Sequence, residues 1–336
     1  MKKTLFALFI VLISGSCQQK EKQYLIKFEG EAQGTYYSIT YYDSQNRNLQ
    51  TEIDSLLDAF NFIASVYEEN SILSKINRNE EVELNDDFIE LFNMAQDISI
   101  ATEGAFDVTI GPLINAWGFG PNRKDTLPIS EIKNIKNIIG FKKVSIQNNR
   151  LIKENPEIIL NYNAIAQGFS TDIICRFLES KEIYNYLVDV GGEIMAKGHK
   201  ASNEEWTVGI EKPADDKFSD RTVFAKISIT NRAIATSGNY RKYYERDGKK
   251  YSHTIDPHSG FPVVHNLLSA TVVADNAGMA DGYATAFMVM GMEKALDFLK
   301  NNPDKKIDAY FIYTDEIGTL RSFATENLAK SVVEIN

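Results

Sequence analysis

Four stretches of alternating apolar and polar residues double back around short turns, and no other feature constrains the architecture as strongly. Tyr24–Tyr42 turns around Gly34-Thr35 and Phe141–Ile159 around Asn148-Asn149; a third hairpin turns at Asp247-Gly248, and the last runs from Ile307 to Phe323 around Glu316–Gly318. Strands joined by so few residues are antiparallel neighbours, because a parallel pair needs a crossover of a dozen residues or more. Helix-periodic segments lie between these hairpins. Thr51–Tyr67 carries Ile53, Leu56, Leu57, Phe60, Ile63, Ala64 and Tyr67 at helical spacing, which predicts an amphipathic helix. Asp87–Ser99 is another, with Asp87 and Glu90 as its N-terminal cap pattern and Gly104 beyond its end. Ser130–Ile139, the segment from Gly168 to Leu178, Gly278–Met290 and Met292–Lys300 are also helical. Buried strands are expected at Tyr184–Val190 and Leu268–Val273. Long helices mixed with hairpin-connected strands predict an α+β fold of mixed, mainly antiparallel sheets with flanking helices, rather than a doubly wound sheet. No linker divides the chain, so residues 24–336 are read as one folded unit.

The N-terminus reads as processing and not as fold. Lys2-Lys3 precede the apolar run Leu5–Ile13. That run falls short of the roughly 20 residues that span a bilayer, so residues 1–16 form an export signal peptide. Ser14-Gly15-Ser16-Cys17 resembles a bacterial lipoprotein box, which makes Cys17 the lipidated N-terminus and residues 17–23 a tether; a cleaved signal with a chance cysteine is the other reading. With Cys17 lipidated, Cys175 has no disulfide partner and is a small core residue in a helical pattern. Losing Lys2 and Lys3 with the leader takes the net charge from −10 to −12, 34 basic against 46 acidic side chains. Such a balance excludes a nucleic-acid binder that works through a basic face. The chain is therefore expected outside the cytoplasm, lipid-anchored to a membrane.

Chemistry-bearing residues concentrate in Ala235–Pro262, where Ser237, Gly238, His253, Asp256, His258 and two prolines share one polar region. The Asp247-Gly248 turn would bring Ser237-Gly238 close to His253–Pro257. Taken alone, these are also ordinary turn residues. Asp281 and Thr285 are four apart on one helix face, a carboxylate and a hydroxyl of the kind Mg²⁺ accepts, and equally a first-turn acid and a packing residue. Asn161–Gly168 is a strand-to-helix junction with the small core Ala164-Ile165-Ala166, open to an ion or to close helix packing. No P-loop, HExxH, CxxC or GxGxxG after a strand is present; Gly118-Phe119-Gly120 runs into Pro121.

Eight segments in order resemble one family, the FAD:protein FMN transferases, or ApbE-like flavin transferases. They are Gly34-Thr35-Tyr36; Tyr67 with Asn70–Asn77; Gly104–Leu113; Asn161–Gly168 with Asp172; Val190–Ile194; Ala235–Tyr240; Ser252–Gly260; and Ala280–Ala286. The resemblance implies an ApbE-like, T-fold-related architecture. It implies an enzyme that takes FAD as substrate, cuts its pyrophosphate and moves FMN to a threonine or serine hydroxyl of an acceptor flavoprotein, releasing AMP. By position, Asp281 and Thr285 would bind Mg²⁺ with the carbonyl of Ala164. Gln33, Tyr67, Ala105, Phe106, Asp107, Asn161 and Gln167 would line the FAD site, beside Ser237 and Gly238. His253 would lie near the phosphate as the base, with Asp256 shaping its turn or serving in its place. The chain departs from the family at Gln167, where lysine is usual, and at Gln33, where methionine is common. Two rivals use the same residues: an FAD pyrophosphatase giving FMN and AMP, and a non-catalytic flavin-binding lipoprotein.

Overall fold

The computed structural model describes residues 22–120, 129–213, 222–239, 243–246, 249–252 and 254–335. The signal peptide, the Cys17 site, the Asp247-Gly248 turn and His253 lie outside the described residues. In chain order come β1 (Tyr24–Ala32), β2 (Thr35–Asp43), α1 (Gln50–Ala64), α2 (Ile72–Asn77), α3 (Asp86–Ala101), α4 (Gly111–Ala116), α5 (Ile129–Ile138), β3 (Val144–Gln147), β4 (Arg150–Lys153) and α6 (Ala166–Ser180). There follow β5 (Tyr186–Val190), β6 (Glu193–Lys197), β7 (Trp206–Glu211), β8 (Val223–Ile229), β9 (Arg232–Gly238), β10 (Tyr243–Arg246), β11 (Lys249–Ser252) and β12 (Leu267–Ala274). The chain closes with α7 (Ala277–Met290), α8 (Met292–Asn301), β13 (Asp308–Thr314), β14 (Leu320–Ala324), α9 (Glu326–Ala329) and β15 (Val332–Glu334).

Eight strands form one antiparallel sheet in the order β1-β2-β5-β6-β9-β12-β13-β14. Helices bury one of its faces. Tyr37, Ile39 and Tyr41 of β2 meet Ile53 and Leu57 of α1 and Ile174 and Leu178 of α6. Towards the other edge, Ala233, Ala235, Ala270 and Val272 bury with Ala280, Ala284 and Phe287 of α7. Small side chains on both partners let helix and sheet approach closely. The opposite face carries a second sheet, ordered β15-β8-β7, whose Trp206, Val208 and Ile227 pack on Ile194, Ile234, Val273 and Tyr310. The α+β expectation therefore holds, with the flanking helices on one side of the main sheet.

Turn chemistry sets the registers. Ala32 pairs with Thr35, leaving Gln33 (φ 55°) and Gly34 (φ 73°) as the two left-handed residues of a type I′ turn. The turn thus sits one residue earlier than the expected Gly34-Thr35. Asn148 (φ 48°) and Asn149 (φ 56°) do the same between β3 and β4, as expected. Arg246 pairs with Lys249, the register that a two-residue connection at 247–248 requires. Cys175 is a buried free thiol on α6, as its apolar pattern implied.

Two helix boundaries differ from expectation for identifiable reasons. α1 stops at Ala64 because Ser65 leaves the helical region (ψ 132°) and its hydroxyl accepts the N–H groups of Tyr67 and Glu68 at 3.1 and 3.2 Å. This local side-chain bond competes with the helix ladder and puts Tyr67 outside it. α3 is capped by Asn85, whose Oδ1 accepts the Phe88 N–H at 2.9 Å, and not by the Asp87/Glu90 pair. Those two acids face Arg176 instead, at 3.9 and 3.1 Å.

Candidate active site

The site forms where α6 and α7 start beside the end of β9. The carboxylate of Asp281 accepts the Gly168 N–H at 3.2 Å, which lies in the first turn of α6, where the helix dipole favours an acid. Gly168 permits this contact because a Cβ there would stand 2.3 Å from the Ala277 carbonyl oxygen and 2.9 Å from the Asp281 Cβ. Asp281 is buried at 7% exposure. Burial pushes its carboxyl up to about 7 and the charge of Asp172 adds to this, while the Gly168 N–H pulls the other way. One turn on, the Thr285 hydroxyl lies 3.2 Å from the Ser237 hydroxyl. Ala164 sits in the tight turn before α6, where the Tyr162 carbonyl accepts the N–H groups of Ile165 and Ala166 at 2.9 and 2.8 Å. Ile165 reaches α7 directly: its Cδ1 is 3.6 Å from where a Cβ on Gly282 would be.

Asp281 and Thr285 thus lie beside the start of α6 and Ser237, and Ala164 belongs to the turn that leads into α6. A carboxylate, a hydroxyl and a carbonyl are hard oxygen donors, and the buried acid presents a charge that a cation would offset. That donor set fits Mg²⁺, which takes few protein ligands and keeps the rest of its octahedron for water and phosphate. Among the described residues no cluster of three or more His, Cys, Asp or Glu side chains is placed to hold a metal.

The segment expected to line the FAD site is held rigidly. Asp107 accepts the Thr109 N–H and Oγ1–H at 2.8 and 2.7 Å, and the Phe141 N–H at 3.0 Å. Burial nevertheless pushes its carboxyl above the usual range. Thr109 in turn accepts the Gly140 N–H at 2.7 Å, tying Ala105-Phe106-Asp107 to the turn before β3. The Asn161 N–H donates to the Val108 carbonyl at 2.8 Å, so Asn161 and Asp107 belong to adjoining strands of chain. Asn77, at the end of α2, fixes that register by pairing both of its amide groups with Leu160 at 2.8 and 2.9 Å. Its role was not apparent from the sequence, because an asparagine closing a short helix resembles any C-terminal cap.

Gln33 and Gln167 share the Ser170 hydroxyl, which also donates to the Gln167 carbonyl at 2.8 Å. Gln33 Oε1 accepts the Ser170 hydroxyl at 3.4 Å, while its Nε2 is buried without a protein partner. Gln167 Nε2 lies 2.9 Å, and Thr35 Cγ2 2.8 Å, from where a Cβ on Gly191 (φ 70°) would stand. A buried amide N–H₂ with no acceptor costs stability unless a ligand supplies one. Tyr67 differs from the rest in being 67% exposed.

Asp256 organises its own loop. Its two carboxylate oxygens accept the N–H groups of His258 and Ser259 at 2.9 and 3.2 Å, and its carbonyl accepts the Gly260 N–H at 2.8 Å. This geometry is turn-shaping. The loop is latched to α4 by Trp117, whose Nε1–H donates to the Gly260 carbonyl at 2.8 Å and whose ring meets Phe261 edge-on. His258 approaches Gly104, its Cε1 3.5 Å from a Cβ placed there, which sets this loop beside the Ala105–Asp107 segment.

Comparison with known proteins identifies the family. The ApbE family profile matches residues 33–311. An FAD:protein FMN transferase of Vibrio cholerae is 38% identical over 311 residues, covering 90% of this chain and 92% of its own. One from Haemophilus influenzae is 35% identical over 320 residues, covering 90% and 91%. Among solved structures, the flavin transferase ApbE from Vibrio cholerae superposes with a TM-score of 0.80 at 34% identity, covering 92% of this chain and 100% of that one. The apo flavinyl transferase ApbE of Pseudomonas stutzeri gives 0.81 at 30%, covering 92% and 97%. With the family profile spanning most of the folded unit and the same architecture in these relatives, the chain belongs to the ApbE family.

Proposed function

We propose that this protein is an FAD:protein FMN transferase that moves FMN from FAD to a threonine or serine hydroxyl of an acceptor flavoprotein and releases AMP. The observation that carries the reading is the corner where the Asp281 carboxylate meets the start of α6 and the Thr285 hydroxyl meets that of Ser237. The acceptor oxygen attacks the FMN phosphorus; the bond from that phosphorus to the bridging oxygen breaks, and AMP leaves with the bridging oxygen. Asp281, Thr285 and the Ala164 carbonyl would hold Mg²⁺, which would supply the charge neutralisation that phosphoryl transfer needs.

The remaining work falls to the chain's own groups. The buried amide of Gln33 and that of Gln167 offer N–H donors to the flavin nucleotide. Asp107 and Asn161, fixed through Thr109 and Asn77, shape the wall that positions it. A threonine hydroxyl is a poor nucleophile until a base removes its proton. A ring nitrogen of His253 takes that role, with Asp256 holding the following turn. Cys17 carries the lipid, so the enzyme works on the outer side of a membrane on an exported or membrane flavoprotein.

The test uses residues 18–336 with FAD, Mg²⁺ and a flavoprotein domain bearing an exposed target threonine. A fluorescent acceptor band on a denaturing gel, lost with EDTA, supports transfer. FMN and AMP in solution with an unlabelled acceptor point to the pyrophosphatase, and intact FAD to a flavin-binding lipoprotein.

A further inference from the structure

Asp172 takes part in none of these steps, yet it is the acid that joins the two helices of the metal corner. It is buried, and its two oxygens accept the N–H groups of Ala277 and Gly278 at 2.8 and 2.9 Å. These are the first two residues of α7, and the third, Met279, donates to its own N-cap Asn276 at 2.8 Å. A helix start leaves such N–H groups unpaired. Here an acid from another helix takes two of them.

The arrangement is reciprocal. Gly168 and Asp172 lie four apart on α6, Ala277 and Asp281 four apart on α7, and each helix sends its acid to the start of the other. The closed ring leaves no play. A Cβ on Gly168 would strike the Ala277 carbonyl at 2.3 Å, and one on Gly278 would stand 2.6 Å from the Met94 sulfur and 3.3 Å from Asp172 Oδ2. Sliding or rotating α7 would break the Asp172 bonds together with the Gly168–Asp281 bond. Asn276 takes only the Met279 N–H, so the Ala277 and Gly278 N–H groups depend on an acid that reaches them from α6.

We propose that Asp172 is a positioning residue for the cation site: it fixes the register of α7 on α6 so that Asp281 and Thr285 converge on the Ala164 carbonyl. The inference rests on the metal reading above. Groups that orient metal ligands from behind typically change affinity by roughly 10–100-fold when replaced.

The experiment measures binding of Mn²⁺ alone to the full chain in detergent, by the electron paramagnetic resonance of the free ion, alongside thermal unfolding. In D172N one acceptor oxygen becomes a donor facing a donor, and affinity is expected to fall by roughly 10–100-fold. At saturating Mg²⁺ its kcat should return to within a few-fold of wild type, with the KM for FAD unchanged. Asn276→Ala, which loosens the same helix end without touching the α6–α7 ring, should lower the unfolding temperature and leave Mn²⁺ affinity alone. Unchanged Mn²⁺ affinity in D172N overturns the proposal and makes Asp172 a helix staple only. Should D172N fail to fold, Asp172→Glu keeps the charge and both acceptors but displaces α7 by a methylene; wild-type affinity there overturns the proposal equally. A wild-type chain that binds no Mn²⁺ overturns the metal reading itself, and the proposal with it.

Discussion

Replacing Gly168 by alanine separates what the α6–α7 contact does for stability from what it does for chemistry. The added methyl would stand 2.3 Å from the Ala277 carbonyl oxygen and 2.9 Å from the Asp281 Cβ, both rigid neighbours. Non-bonded carbon atoms rest at about 3.5 Å, so roughly 1 Å must open between the helices. The Gly168–Asp281 hydrogen bond, already 3.2 Å, does not survive that shift. Overpacking of this kind costs about 1–3 kcal/mol. Alanine's better helix propensity returns about 1 kcal/mol, leaving a net loss of about 0–2 kcal/mol. Catalysis should respond far more, because a misplacement of about 1 Å in an aligned site costs about 100-fold. Urea unfolding and AMP release at saturating Mg²⁺ measure the two effects on one preparation. Wild-type turnover in Gly168→Ala would refute the claim that close α6–α7 contact sets the active geometry.

Three further outcomes follow from the site and its surroundings. Asp281→Ala should abolish Mg²⁺-dependent AMP release while the circular dichroism spectrum stays native, since the carboxylate makes one long hydrogen bond and relief of its burial offsets the loss. Gln167→Lys adds a positive charge beside Gly191 and Thr35 and should lower the KM for FAD several-fold at low salt, with the gain fading as ionic strength rises; an unchanged KM would place Gln167 away from the phosphates. Asp43 is held below its usual range chiefly by the Arg47 guanidinium, which it meets at 2.7 Å. Its contribution is present above the unfolded carboxyl value of 3.8 and is lost as pH falls through the lower folded value. The stability gap between wild type and Asp43→Asn in urea should therefore be full at pH 7 and shrink as the solution is made more acidic than that carboxyl value.

Local patterns in the sequence disclosed the architecture well. Asn148-Asn149 shows why: left-handed turn residues fix an antiparallel register within a few positions, and no distant contact has to be known, although the first turn falls at Gln33-Gly34 and not at the expected Gly34-Thr35. That Asp281 and Thr285 share one helix face was also readable from their i,i+4 spacing, and α7 carries both. Long-range partners were not readable. Asp172 binds residues more than a hundred positions away, at Ala277 and Gly278, and Asn77 binds Leu160. Nothing within a helical window distinguishes either from a surface polar residue. Ser65 ended α1 early because its hydroxyl accepts the N–H groups of Tyr67 and Glu68, although the apolar spacing carried on to Tyr67. Asp256 was read as shaping its turn or serving as the base, and its carboxylate accepts the N–H groups of that turn.

The most direct measurement follows both products of one reaction. The chain is incubated with FAD, Mg²⁺ and the threonine-bearing flavoprotein domain; AMP is quantified by chromatography and the acceptor is weighed by intact-protein mass spectrometry. Flavin transfer predicts one FMN-sized mass increase on the acceptor for each AMP released, and neither product with Asp281→Ala. AMP accompanied by free FMN and an acceptor of unchanged mass would contradict it.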